Sequence, residues 1–321
     1  MTVVDRANLN GVGLDRVVPD RVGLGWRGEL AAGIYTHLDQ LDVLEVLADA
    51  HFGVSQRQLR ALRALGSELP VICHSVALGI ASASAVPAWR IDRVARVLEA
   101  LQPERWSEHL AFVRSGGHEI GHLAAPPRTL HTVEGAARNL VHIRSVVGEL
   151  PALENIATLL EPPGSDLTEA DWISVILGAT DSSLLLDLYN LHANCVNFGR
   201  DAHRELRALQ LGRVHMVHLA GGSMIEQQSP ALNHPEGPSA RRMLDDHLHD
   251  VPDVVYTLLA ELAALCPNPL TVIIERDGHY PPMSMLLAQI ERARKALAEG
   301  RRRSRESPDS LDNVSGVFAP A

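Results

Sequence analysis

The sequence predicts an α/β protein, because short apolar runs of strand character alternate with longer stretches of helical periodicity along most of its 321 residues. Near-continuous apolar strands are typical of a parallel sheet that is buried on both faces. Eight strand–helix units favour one (β/α)8 barrel of the triosephosphate-isomerase (TIM) type over two separate domains. The predicted strands are VGLGW (22–26), LDVLEV (41–46), PVICHS (70–75), RWSEHLAF (105–112), PALENI (151–156), SLLLDLYN (183–190), RVHMVHLA (213–220) and PLTVIIER (269–276).

The stretches between these runs carry apolar residues at helical spacing, most clearly in SQRQLRALRALG (55–66), RIDRVARVLEAL (90–101) and TVEGAARNLVHIRSVVG (132–148). A single TIM-barrel catalytic domain is therefore expected over residues 22–299, after an N-terminal extension over 1–21. Residues 221–250 form a long polar connection after the seventh strand, and such connections usually act as lids or binding loops. The polar stretch 300–321 is predicted to be a disordered tail.

Composition and charge argue against several classes of protein. The chain has 29 Lys and Arg against 39 Asp and Glu, a formal net charge of −10, which is unfavourable for general nucleic-acid binding. No apolar run approaches the roughly 18 residues of a membrane helix, and the N-terminus lacks the apolar core of a signal peptide. The three cysteines are widely spaced and form no CxxC pair. They fit a reducing compartment, so a cytoplasmic protein without nucleic-acid or membrane partners is expected.

Nearly every predicted strand ends in or near a polar side chain of the metal-ligand type. The carboxyl ends of barrel strands and the loops that follow them form one rim, where active sites are built. Histidine is abundant, with 16 in the chain, and imidazole is the commonest metal ligand. The residues expected at this rim are Glu45, His74, Glu108, His109, Glu154, Asn155, Asp187, Asn190, His192, His218, Asp245, His247, His249, Glu275 and Asp277.

Such a ring of carboxylates and imidazoles predicts bound metal. A buried carboxylate is costly unless it is paired or bound to a cation, and carboxylates that share a cavity raise one another's pKa. Oxygen and nitrogen ligands without thiolate suit iron, manganese or zinc, and the number of candidates predicts two or three ions with bridging carboxylates. Glu45 and Glu108 are interpreted as hydrogen-bond partners that orient ligands. His215 and Cys73 occupy strand positions that point away from the barrel axis.

Several segments, in order along the chain, resemble motifs of the multinuclear non-haem iron-dependent oxidative (MNIO) enzymes. They are HSVALGIAS (74–82), SEHLAF (107–112), LENIATLL (153–160), LLLDLYNLHANCVNFG (184–199), VHLAGG (217–222), DDHLHDVPDVV (245–255) and IIERDG (273–278). The resemblance covers roughly residues 22–290, and its specificity comes from the co-ordered set rather than from any one motif.

The resemblance implies a xylose-isomerase-like TIM barrel with two or three iron ions (Fe2+/Fe3+) at the strand ends and dioxygen as co-substrate. Many members modify cysteine or other residues of ribosomally made precursor peptides, commonly with a partner protein that captures the leader peptide. By this resemblance the catalytic residues are Glu154, Asp187 and His247. The implied metal ligands are His74, His109, Glu154, Asp187, Asn190, His218, Asp245, His247 and Glu275.

The chain departs from the family motifs at three positions. Tyr189 stands where the usual form has asparagine, Gly222 stands where it has a second histidine, and His192 occupies an often aromatic position and is a candidate added ligand. These departures indicate a divergent member and leave the peptide substrate open. Two other functions stay open: a divalent-metal isomerase or hydrolase of the xylose-isomerase-like kind that acts on a small molecule, and a metal-storing or peptide-escort module without turnover.

Overall fold

A computed structural model describes residues 19–115, 117–227 and 240–306. Its strands are β1 (Arg21–Gly25), β2 (Leu44–Leu47), β3 (Val71–Ser75), β4 (Trp106–His109), β5 (Phe112–Ser115), β6 (His118–Ala124), β7 (Ala152–Glu154), β8 (Leu184–Asp187), β9 (Val214–Leu219), β10 (Gly222–Gln227), β11 (Ala240–Asp245) and β12 (Thr271–Ile274). Eight of them close into a parallel barrel in the order β1-β12-β9-β8-β7-β4-β3-β2. The predicted (β/α)8 barrel is thereby confirmed.

Helices connect the barrel strands and cover the outside of the barrel. They are α1 (Ala31–Thr36), α2 (Gln56–Arg63), α3 (Ala88–Leu101), α4 (Leu130–Val147), α5 (Glu169–Thr180), α6 (Leu188–Phe198), α7 (Ala202–Ala208), α8 (Asp253–Leu265) and α9 (Met283–Glu306). Ser55 and Thr129 begin α2 and α4 as N-caps, each accepting from the backbone N–H three residues later. None of the helices in the described ranges is long and apolar enough to cross a bilayer.

Six apolar side chains fill the barrel interior: Val43, Ile72, Ala152, Leu185, Met216 and Ile273. Each stands two positions before a residue of the predicted ring, as Ile72 does before His74 and Leu185 before Asp187. Side chains two apart on a strand point to the same side, so both members of each pair face the axis. The apolar layer therefore closes the barrel directly below a polar layer at the carboxyl ends of the strands.

Two antiparallel hairpins stand on this polar end of the barrel. Strands β5 and β6 follow β4, and strands β10 and β11 follow β9. The predicted fourth strand over 105–112 was too long, because β4 ends at His109 and Phe112 begins β5. The long connection predicted over 221–250 contains the β10–β11 ladder, and its residues 228–239 lie outside the described ranges.

The structure corrects three further boundaries. The predicted strand over 183–190 ends at Asp187, which is also the N-cap of α6 and accepts from Asn190 N at 2.6 Å. Residues 300–306, predicted as part of a disordered tail, continue α9, where Arg301 is anchored to Asp20 at 2.7 Å. Arg21, placed in the N-terminal extension, begins β1. Residues 1–18 and 307–321 lie outside the described ranges.

Candidate metal centre

Three residues on neighbouring strands bring their donor atoms together. His74, His109 and Glu154 each offer one donor atom within 4.8 Å of the other two. His74 Nε2 and His109 Nε2 lie 3.4 and 3.3 Å from the same oxygen, Glu154 Oε2. Strand β4 pairs with β3 on one side and β7 on the other, which sets the three side chains next to one another. The barrel order thus produces the first donor group.

A second donor group shares Glu154 with the first. Asp187, His218 and Glu275 offer donor atoms that lie within 4.8 Å of one another and of Glu154. His218 Nδ1 lies 3.1 Å from Glu154 Oε1 and 3.1 Å from Glu275 Oε2. The two oxygens of Glu154 therefore face different groups, Oε2 toward the first and Oε1 toward the second.

The outer nitrogens of two imidazoles have hydrogen-bond partners that are compatible with the tautomers required for metal binding. His74 Nδ1 lies 2.8 Å from Ser107 Oγ, so a proton on Nδ1 leaves the Nε2 lone pair directed at Glu154. His218 Nε2 lies 2.7 Å from Glu45 Oε1, so a proton there leaves Nδ1 directed at Glu154 and Glu275. Such outer partners orient metal-binding histidines and raise their basicity. Glu45 thus makes the orienting contact that the sequence predicts.

The β10–β11 hairpin and the segment that follows bring two more predicted ligands to the rim. His247 Nε2 lies 2.9 Å from Asp245 Oδ2 and 3.7 Å from Glu275 Oε2. On its other side His247 Nδ1 lies 2.9 Å from Asp277 Oδ2, and Asp277 is ion-paired with Arg27. His247 is 19% exposed, more than His74 or His218. Among the imidazoles in or beside the donor groups, His247 is therefore the most exposed, since His109 is 12% exposed.

Helix α6 places Asn190 and His192 differently. Asn190 donates from Nδ2 to Asn155 O at 3.1 Å, and it borders a cavity together with His109 and Asp245. His192 is half-buried beside Tyr189, with 6.4 Å between the ring centroids, and belongs to neither donor group.

Four other residues considered from the sequence lie away from the donor groups. Glu108 accepts from the backbone N–H groups of Leu78 and His109, so it holds the loop after β3 rather than a ligand side chain. His249 is exposed and pairs with Asp246 at 2.9 Å. His215 is half-buried, and Cys73 packs in the outer hydrophobic core, as their strand positions predict.

Burial and neighbouring charges shift the pKa values at the site, and the direction differs from one residue to the next. Burial lowers the pKa of His74 to about 3, which keeps its imidazole neutral. Burial alone would raise the pKa of Glu154, but His109, His218 and His74 together lower it to about 2. Burial, followed by repulsion from Asp245 and Glu154, raises the pKa of Asp187 well above its usual range. The site therefore retains protons that a bound cation would displace.

The unpaired atoms of the site fit metal ions. Among the described residues, these buried side-chain oxygens of the rim have no hydrogen-bond partner: Glu45 Oε2, Glu154 Oε2, Asp187 Oδ2, Asn190 Oδ1 and Asp245 Oδ1. Buried acceptors without donors are costly, and a cation satisfies several at once. The donors are oxygen and nitrogen, a set that suits iron, manganese or zinc. The three cysteines are free and belong to neither donor group.

Sequence reasoning did not assign a role to two residues that support this centre. Ser107 orients His74, and its position two residues before His109 on β4 was the available signal that it faces the barrel axis. Arg27 supports His247 through Asp277, and nothing in its loop sequence distinguishes it from other surface arginines.

The fold is that of xylose-isomerase-like barrels. An L-ribulose 3-epimerase structure matches with a TM-score of 0.56 at 15% identity, covering 94% of this chain and 100% of that one. A xylose isomerase domain protein from Alicyclobacillus acidocaldarius subsp. acidocaldarius matches with a TM-score of 0.54 at 15% identity, covering 87% and 99%. These identities show the fold alone. Fold and site together define a (β/α)8-barrel protein with a candidate metal centre at its carboxyl-terminal mouth.

The chain belongs to the family of RiPP precursor modification enzymes MbnB/TglH/ChrH, whose family model matches residues 21–298. This confirms the MNIO resemblance. A UPF0276 protein of Streptomyces avermitilis is 32% identical over 283 residues, 86% of this chain and 54% of that protein. A UPF0276 protein of Shewanella amazonensis is 29% identical over 291 residues, 90% of this chain and 99% of that protein. The chain thus spans about half of the first relative and nearly all of the second.

Proposed function

We propose that the protein is a multinuclear non-haem iron oxidase that uses dioxygen to modify a residue, cysteine in the first instance, of a ribosomally synthesised precursor peptide. Membership of a family of RiPP precursor modification enzymes supports the substrate class. The observation that carries the proposal is Glu154, whose two oxygens face two separate donor groups. A carboxylate held in this way is suited to bridge two metal ions.

The donor groups divide the predicted ligands between ions. His74 and His109 would hold one ion with Glu154, and Asp187, His218 and Glu275 would hold a second with the same carboxylate. The remaining predicted ligands, which would complete the second site or hold a third ion, are Asn190, Asp245 and His247.

Bound iron would supply one-electron redox chemistry and a site for dioxygen. The chain's own residues would bind and orient the substrate and exclude water from the reacting centre. Glu154 and His74 are almost completely buried, so charges that develop beside them are poorly screened by solvent. His247 would hold a proton on Nδ1 against Asp277 and exchange it with solvent at the rim. We therefore assign Glu154 and Asp187 to positioning at the reacting centre and His247 to proton handling.

The proposal includes a partner and a location. A separate protein that binds the leader segment of the precursor peptide is part of it, as the family resemblance implies. A cytoplasmic location is also part of it, since free buried thiols are typical of reducing compartments.

The test is metal analysis of the full chain purified without oxygen, combined with Mössbauer and EPR spectra and oxygen uptake in the presence of a candidate precursor peptide. Two or three irons per chain with magnetic coupling, and peptide modification only when oxygen is admitted, are expected. Zinc or manganese alone, with no gain in turnover after iron reconstitution, would replace the proposal with a divalent-metal isomerase or hydrolase. Turnover that persists without oxygen would remove the oxidase assignment.

A further inference from the structure

A cavity of about 660 Å³ opens beside the candidate metal centre. His109, Asn190 and Asp245 are among the residues that line it, so the cavity adjoins the candidate metal centre. Three backbone segments form its walls: residues 122–125 at the end of β6, the loop 156–163 after β7, and residues 243–245 of β11.

Most of the cavity wall is apolar. Ile156, Leu160 and Met243 line it, and Leu160 is 66% exposed on the open side. An aliphatic side chain that covers this surface gains the free energy of removing apolar area from water on both partners. A charged side chain there would lose its hydration to an apolar wall. The cavity therefore selects an uncharged, apolar side chain.

Several backbone groups of the other two walls already have hydrogen bonds. Asn194 donates to Ile156 O at 2.9 Å and accepts from Thr158 N at 2.8 Å. Asn197 donates to Thr158 O at 3.1 Å and to Met243 O at 3.0 Å, and it accepts from Met243 N at 2.6 Å. These side chains of α6 therefore occupy polar backbone groups of the loop after β7 and of β11 that an approaching peptide could otherwise use.

The third wall is formed by β6, whose backbone groups are available to pair with a peptide. Residues 122–125 line the cavity consecutively, and because strand side chains alternate, an unbroken run at a cavity means that the strand's edge borders it. Apart from the ladder to β5, the described parts of the chain make one hydrogen bond to the backbone of residues 120–125. His122 Nδ1 donates it to Leu123 O. A strand edge in this state is a template for an added strand.

We propose that the substrate peptide docks as an extended strand on the β6 edge and places an uncharged apolar side chain in this cavity, two positions from the residue that is modified. This inference rests on the proposed function, since it names how the peptide is recognised. Side chains two apart in an extended chain lie on one face about 7 Å from each other. One of them can therefore fill the apolar cavity while the other reaches the metal centre.

The probe is a symmetric blocked peptide, acetyl-Thr-Leu-Thr-Cys-Thr-Leu-Thr-amide, which has leucine two positions to either side of the cysteine. Its comparison peptide carries aspartate in place of both leucines. Iron-loaded full chain kept without oxygen allows binding to be measured without turnover, by calorimetry and by hydrogen–deuterium exchange. The leucine peptide is expected to bind at least about tenfold more tightly than the aspartate peptide and to slow amide exchange in residues 120–125.

Two further peptides test strand addition itself. One is N-methylated at the odd-numbered residues and the other at the even-numbered residues, so the two methylation patterns have opposite phase. Only alternate backbone N–H groups of an added strand point at its neighbour, so one phase is expected to abolish binding and the other to retain it. In the protein, Leu160→Asp is expected to lower the affinity for the leucine peptide about tenfold or more. Leu130→Asp, at a leucine that is 62% exposed and does not line the cavity, is the matched control and is expected to change nothing.

Three outcomes of the binding and exchange measurements would overturn the inference: equal affinity for the leucine and aspartate peptides, equal effects of the two methylation phases, or amides of residues 120–125 that are already protected without peptide. The last would mean that another part of the chain covers this edge. Failure of the proposed function gives a different result, because the leucine peptide would then bind to β6 as expected and stay unmodified after oxygen is admitted. Modification of both peptides alike would retain the function and remove the docking mode.

Discussion

Tyr189 fills the space that a side chain at position 222 would need. A Cβ atom added to Gly222 would lie 2.5 Å from Tyr189 Oη and would clash with Leu244 O. Tyr189 itself donates to Leu244 O at 3.3 Å, and Gly222 pairs with Asp245 across the β10–β11 ladder. The departures from the family motifs at positions 189 and 222 therefore lie side by side, where Tyr189 packs α6 against the strand that carries Asp245.

This contact predicts non-additive stabilities. Gly222→Ala forces β11 away from β10, and the Tyr189 ring opposes that movement. Tyr189→Asn removes the ring and leaves only the clash with the Leu244 carbonyl, so the double variant is expected to lose less free energy of unfolding than the two single variants together, by about 1 kcal/mol. Urea unfolding of the four proteins, metal-loaded and in the same buffer, measures the difference. Additive losses would show that Tyr189 and Gly222 are independent.

The shared carboxylate predicts an asymmetric loss of metal. Glu154→Gln removes one charge from both donor groups, so iron is expected to be lost from both. His109→Ala removes a donor from the first group alone, so the iron held with Asp187 and His218 is expected to remain. Elemental analysis and Mössbauer spectra distinguish the two patterns.

An exposed histidine supplies the control for this comparison. His142→Ala, on the outer surface of α4, is expected to keep the full metal content. Equal metal loss in the Glu154 and His109 variants, with unchanged thermal unfolding, would contradict a bridge through Glu154.

Metal uptake is expected to release protons. Burial raises the pKa of Asp187, and although burial alone would lower the pKa of His218, Glu275 and Glu45 raise it well above its usual range. The metal-free site therefore retains protons to higher pH than the isolated groups would, and ions must displace them, so metal affinity rises with pH. Both raised pKa values also mean that the metal-free fold loses stability as the pH increases through them, whereas the loaded protein does not.

Titration of metal-free protein with ferrous iron in weak buffer, followed with a pH indicator, measures this release. Asp187→Asn removes one of the two proton-holding groups, so it is expected to release fewer protons and to lessen the loss of stability with rising pH in the metal-free protein. Binding that is independent of pH between about pH 6 and about pH 8 would contradict the shifted pKa values.

The ring of candidate ligands was predictable because strand alternation is strict. A residue such as His74 stands two positions after an apolar interior residue, Ile72, and that spacing can be read from the sequence. The beginning of α6 was not predictable, because Asp187 serves at once as strand end and N-cap and leaves no loop. The end of α9 was not predictable either, since its last turn has the composition of a tail and is anchored by a contact between Arg301 and Asp20, far apart in the chain.

The asparagines of α6 hold neighbouring backbone segments in place, a role that the sequence pattern does not indicate. Asn197 lies on a helix, where an asparagine gives no periodic signal, yet its amide binds Thr158 O and both polar backbone groups of Met243. Met243 is two residues before Asp245, so Asn197 fixes the strand that carries a predicted ligand. Asn197→Ala leaves buried backbone groups unpaired and is expected to cost about 1–3 kcal/mol of unfolding free energy.

Asn197→Asp separates hydrogen bonding from shape. It keeps the acceptor for Met243 N but sets a carboxylate oxygen against the carbonyl oxygens of Thr158 and Met243, so it is expected to destabilise at least as much as Asn197→Ala. Gln210→Ala, which removes an exposed amide, is the control and is expected to be neutral. Because the Asn197 side chain binds β11 and not β3 or β4, both Asn197 variants are expected to retain the iron held by His74 and His109. They are expected to bind less metal through Asp245 and His247. Loss of all iron in step with unfolding would show instead that Asn197 supports the whole barrel mouth.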